Sequence, residues 1–115
     1  MLEFIELPLF TRRLAIIAGV HADDVLLEIQ SDLLENPRRG KVVEGTGGVR
    51  KARAADPTRG KGKRGGFRYF YYFIERDGQV FLLMLFNKDE QDDLTIEQKK
   101  ALKKAISDVL EEDDG

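Results

Sequence analysis

The chain has 115 residues, 42% of them hydrophobic and 35% charged, with three prolines, a balance that supports one folded domain around one core and excludes a disordered or fibrous chain. With no cysteine there are no disulfides, thiolate metal sites or cysteine nucleophiles, and Glu3, Glu6, Arg12 and Arg13 break the N-terminal apolar runs too often for a secretory signal or a membrane span, so a cytoplasmic protein is expected. The net charge of -2 hides a strong segregation: residues 38–76 hold twelve basic and three acidic side chains (+9), between flanks of -5 and -6.

Glu3 to Leu7 alternates polar with apolar residues and predicts a first strand, ended by Pro8, which suits the first turn of a helix. Phe10, Leu14, Ile17 and Ala18 recur at helical spacing up to a stop at Gly19. Val25, Leu26, Ile29 and Leu33 predict a second helix, closing at Asn36-Pro37. Lys41 to Val43 and Val49 to Ala54 read as short extended segments around the glycine turn Gly45-Thr46-Gly47-Gly48.

Phe67 to Ile74 and Val80 to Phe86 are aromatic and β-branched runs joined around Asp77-Gly78, a hairpin signal. Both are apolar on both faces, as central strands are when each face is covered. Thr95 to Gln98 forms a capping box, and Leu102, Ala105, Ile106, Val109 and Leu110 make one stripe of a last helix. Residues 111–115 are expected to fray. The order β-α-α-β-β-β-β-α predicts an α+β domain, with a mainly antiparallel four- to five-stranded sheet packed against two N-terminal helices and followed by a C-terminal helix.

The basic middle carries the chemistry. Its positive potential is the footprint of a phosphate-backbone binder. Lys51 and Arg53 stand two apart in a strand and so share a face. Arg68 can lie across the sheet from them and Lys88 at the end of the hairpin, so that the four converge if the strands are neighbours. Such a cluster can stabilise the charge of a pentacoordinate phosphorane, and a lysine crowded by cations is a candidate general base. Arg50 with Arg59, Lys61, Lys63 and Arg64 adds cations that could approach phosphates closely, and Tyr71 could stack on unpaired bases.

Other motifs fall away. Gly60 to Gly65 matches G-x-G-x-x-G but leads into a strand rather than opening a helix, so it is not a dinucleotide fingerprint, and no P-loop sequence exists. His21, the single histidine, reads as a turn or cap residue. Asp89, Glu90, Asp92 and Asp93 lack the spacing of a calcium loop and are assigned to helix entry, where acids are favourable. Neither metal nor cofactor is expected.

The joint spacing of several blocks carries a resemblance: Asn36-Pro37, Gly40, Glu44 to Arg53, Gly60 to Arg68 with Tyr71-Tyr72, Phe86 to Glu90, and Asp93-Leu94-Thr95. Over Phe4 to about Leu110 the chain resembles the RelE/HigB toxins of bacterial type II toxin–antitoxin systems, with the HigB-like branch nearest. The resemblance implies one RelE-like domain over residues 1–115 and a ribosome-dependent ribonuclease that cuts mRNA in the A site. There the message's 2′-hydroxyl attacks the adjacent phosphate, without metal. Lys51 and Arg53 match the family's paired basic strand positions, and Arg68 the arginine after the glycine-rich turn. Lys88 falls beside the family's second catalytic arginine, whose place holds Asp89, and Leu94 stands where the family has a C-terminal tyrosine. The acid role is thus open between Lys88 and Arg64. The implied partners are the ribosome, its message and a cognate helix-turn-helix antitoxin of HigA type, with no membrane. A ParE-like gyrase poison and a non-catalytic RNA-binding adaptor are the alternative readings; the basic cluster favours the ribonuclease, because ParE-type clefts are generally depleted in these cations.

Overall fold

The computed structural model describes residues 1–58, 62 and 66–114, except for the side chains of 112–114. The elements follow the predicted order: β1 (Glu3–Glu6), α1 (Pro8–Ala18), a 3₁₀ turn at Gly19–His21, α2 (Ala22–Glu35), β2 (Lys41–Val42), β3 (Arg50–Ala54), β4 (Phe67–Ile74), β5 (Gln79–Asn87) and α3 (Ile96–Asp114). Pro8 takes the first position of α1, and Gly19, at φ 54°, ends it. The β4–β5 hairpin turns through a single 3₁₀ turn closed by Gly78 in the left-handed region, at φ 63°. Helix α3 runs on to Asp114, past the point where the sequence predicts a frayed tail.

The five strands form one mixed sheet in the order β1-β5-β4-β3-β2. Every neighbouring pair is antiparallel except β1 with β5, which is parallel. Side chains alternate between two cores. Tyr69, Tyr71, Val80, Leu82 and Leu85 face Phe10, Leu14, Ile29 and Leu33 of α1 and α2. Phe70, Ile74, Leu83, Met84 and Phe86 face Leu102 and Ile106 of α3. The register shift at Phe70/Tyr71 lets the adjacent residues Leu83 and Met84 serve the same core without disturbing the phase of β4. The all-apolar reading of β4 and β5 is thus explained: helices cover both faces, and each fully buried large side chain contributes about 1.5–3 kcal/mol.

Candidate functional site

The α3 face of the sheet ends at a basic corner. On β3, Lys51 and Arg53 share the face of Phe70, because Lys51 is paired with Phe70 and Arg53 with Arg68. Arg68 lies opposite Phe86, and Lys88 follows two residues later, its amide donating to the Gly66 carbonyl at 3.3 Å. Lys41 on β2 is directly opposite Lys51. Two like-charged pairs therefore face each other across adjacent strands, an arrangement that costs stability.

The acidic turn between β5 and α3 answers part of this charge. Arg68 Nε donates to Asp92 Oδ1 at 2.9 Å, and Lys51 Nζ to Asp93 Oδ1 at 3.2 Å. Arg68 is only 2% exposed, whereas Asp92 is 61% exposed: the acid lies over the arginine from the solvent side. Desolvation works to raise the Asp92 pKa, but the Arg68 hydrogen bond and the charges of Lys51, Arg68 and Lys88 outweigh it and hold the carboxyl below its ordinary value of 3.8. One carboxylate thus feels three of the four cations that the sequence reading singled out.

This corrects the assignment of Asp92 and Asp93 to helix entry. The start of α3 is closed by its capping box, with Thr95 N donating to Gln98 Oε1 at 2.9 Å and Gln98 N to Thr95 Oγ1 at 3.1 Å, and Glu97 is the acid of its first turn. Glu90 likewise pairs with Arg13 of α1 and accepts from the Asn87 amide at 2.9 Å. The partners come from strands and helices distant in sequence, which local spacing does not reveal.

Two expected RNA-binding residues face away. Arg50 has the opposite parity from Lys51, and its guanidinium donates to the carbonyls of Arg38 and Gly40, at 3.2 and 2.7 Å. Tyr71 is fully buried. Its hydroxyl donates to the Pro37 carbonyl and accepts from the Gly40 amide, both at 2.9 Å, so it offers no face to a base. Both side chains latch the α2–β2 turn to the sheet. Gly40 is required there, because a Cβ would stand 2.8 Å from the Lys51 carbonyl and 3.0 Å from the Tyr71 ring. Arg59, Lys61, Lys63 and Arg64 lie outside the described residues.

Beyond Lys51 no strand among the described residues lies beside the outer edge of β3, since β2 pairs only with Arg50 and Lys51. An open cleft of about 560 Å³ adjoins this stretch, lined by Arg39, Lys41, Lys51, Ala52 and Arg53. Arg39 and Lys41 were not singled out by the sequence. Their signal, a basic pair flanking a glycine just after a helix, becomes legible only once β2 is known to lie against β3. Among the described residues, no group of three or more His, Cys, Asp or Glu side chains could hold a metal ion, and no helix is long and apolar enough to cross a membrane.

No family model matches the chain. The solved structures it is similar to include two from E. coli. One is the crystal structure of the intact E. coli RelBE toxin–antitoxin complex, at 17% identity and a TM-score of 0.55, the match covering 76% of this chain and 96% of that one. The other is a double arginine-to-alanine mutant of the E. coli toxin RelE in the free state, at 16% identity and a TM-score of 0.53, covering 76% and 84%. The chain has the RelE-like toxin fold, the architecture that the sequence resemblance implied.

Proposed function

We propose that this chain is the toxin of a type II toxin–antitoxin pair and a ribosome-dependent mRNA endoribonuclease. The observation that carries the reading is a cluster of cations on one face of the sheet: Lys51 and Arg53 on β3, Arg68 directly across from Arg53, and Lys88 two residues past Phe86, the β5 partner of Arg68, with an open cleft alongside. A site that gathers this many cations is suited to a phosphodiester whose charge rises in the transition state. Lys51 takes the proton of the 2′-hydroxyl. The 2′-oxygen then forms the bond to phosphorus, and Arg53 and Arg68 hold the phosphorane oxygens. The bond to the 5′-oxygen breaks, leaving a 2′,3′-cyclic phosphate, while Lys88 protonates the departing oxygen. A phosphate that reaches Arg68 must take the place of Asp92. The RelBE neighbour is a toxin–antitoxin complex, which supports a cognate antitoxin as partner; a helix-turn-helix protein of HigA type is the form expected.

Primer extension on translated messages tests the reading. Wild type should give codon-phased cuts on ribosomes. Lys51→Ala should lower the cleavage rate by about 10²–10⁴ and Arg68→Ala by about 10²–10³, with growth inhibition lost and circular dichroism unchanged. A double variant that still inhibits growth would remove the site, and gyrase-dependent DNA damage without RNA cuts would replace the reading with the ParE-like one.

A further inference from the structure

The cleft beside β3 reaches past the four cations placed in the reaction: it shares Lys51 and Arg53 with them and adds Arg39 and Lys41. Among the described residues, every charged side chain that lines it is basic. The molecule supplies its own acids to Lys51 and Arg68, through Asp93 and Asp92. It supplies none to Lys41 or Arg53: among the described residues neither side chain has a hydrogen bond or an ion pair, although each stands directly opposite another cation. Repulsion of this kind, left uncompensated beside an open cleft, is what a site awaiting an external polyanion looks like.

The wall that carries Arg39 and Lys41 is held firmly. Arg39 Nη1 lies 3.4 Å from Asp32 Oδ1 of α2, and its amide donates to the Asn36 carbonyl at 3.1 Å. Tyr71 and Arg50 bind the backbone of the same turn from the sheet side. A cation on a fixed turn loses little conformational freedom when it meets its ligand. Lys51 and Arg53 are about 7 Å apart along β3 at about 3.4 Å per residue, on the scale of one nucleotide step of an extended strand.

We infer that Arg39 and Lys41 form a phosphate-backbone subsite for single-stranded RNA next to the cleavage cluster, with Arg50 and Tyr71 as its positioning residues. The inference deepens the nuclease reading and rests on it for the identity of the strand. The subsite holds a phosphate that is not cleaved, so it contributes affinity and register rather than base choice.

The test is binding of the full-length protein to a short, fluorescently labelled, 2′-O-methylated oligoribonucleotide across a KCl series. Lys41→Ala and Arg39→Gln should each weaken binding and flatten the log–log salt slope by about 0.7, and Lys104→Ala on α3 should do neither. Both variants should need more message for half-maximal cleavage, with the codon phase kept. Unchanged slopes in both variants, or no oligonucleotide bound by wild type at low salt, would overturn the subsite while phased cuts could still stand. Flattened slopes without any phased cuts on ribosomes would support the subsite and sink the nuclease. A polyglutamate of equal charge that binds as tightly as the RNA would overturn the assignment to RNA.

Discussion

Tyr69 and Tyr71 stand two residues apart on β4 and face the same helices, yet only one hydroxyl is satisfied. Tyr71 makes two hydrogen bonds to the α2–β2 turn, whereas the buried Tyr69 hydroxyl has no partner among the described residues. Tyr71→Phe should therefore lower stability by about 1–3 kcal/mol in urea unfolding, and Tyr69→Phe should be neutral or raise it by up to about 1 kcal/mol. Burial, reinforced by Tyr71, pushes the Tyr69 phenol far above its ordinary 10.0. The folded state thus favours the neutral ring, so this contribution is intact below pH 10 and is lost progressively as pH rises beyond it. Tyr69→Phe should remove that part of the alkaline loss from a series of melting temperatures. That Tyr71 is core was within reach of the sequence, since aromatics at strand spacing usually are. That its hydroxyl ties down residues 37–40 was not, because the turn and the strand lie more than thirty residues apart.

Between β5 and α3, the chain is fixed at both ends, by Asn87 and Glu90 on one side and by the Thr95–Gln98 box on the other. The acids between them are thereby held over the basic corner. Thr95→Ala should lower stability by about 1 kcal/mol and loosen this turn. The Asp92 carboxyl lies below its ordinary 3.8, so its link to Arg68 is fully present above that pH and is lost as pH falls through the lower folded value. Asp92→Asn should accordingly flatten the acid limb of the stability curve, read as melting temperature against pH. Most elements were legible in the sequence from local patterning: Pro8 and Gly19 bound α1, alternation marks β1, and an unbroken aromatic run marks β4. The turn was misread because acids ahead of a helix ordinarily answer its dipole, and here the stronger call on Asp92 and Asp93 comes from β4 and β3.

At the scale of the whole molecule, the sheet is a partition with a core on each side, and α3, with Val49 and Leu94, covers one of them. A chain ended after Leu94 uncovers Phe70, Leu83 and Phe86 and forfeits Leu102 and Ile106, about 3–6 kcal/mol of burial against a total stability of about 5–15. It should fail to melt cooperatively in calorimetry. The charge blocks were visible at this scale from the start, and the basic block does form the corner and its cleft, but which cations meet depended on strand order. Lys41 joined them only through its register with Lys51, and Arg50 left them by parity. The cover that Asp92 and Asp93 place on Arg68 and Lys51 means that an arriving ligand finds no bare charge there, but seats already occupied. Its grip measures how much better it suits those seats than the two resident side chains, which must be rehydrated as it enters.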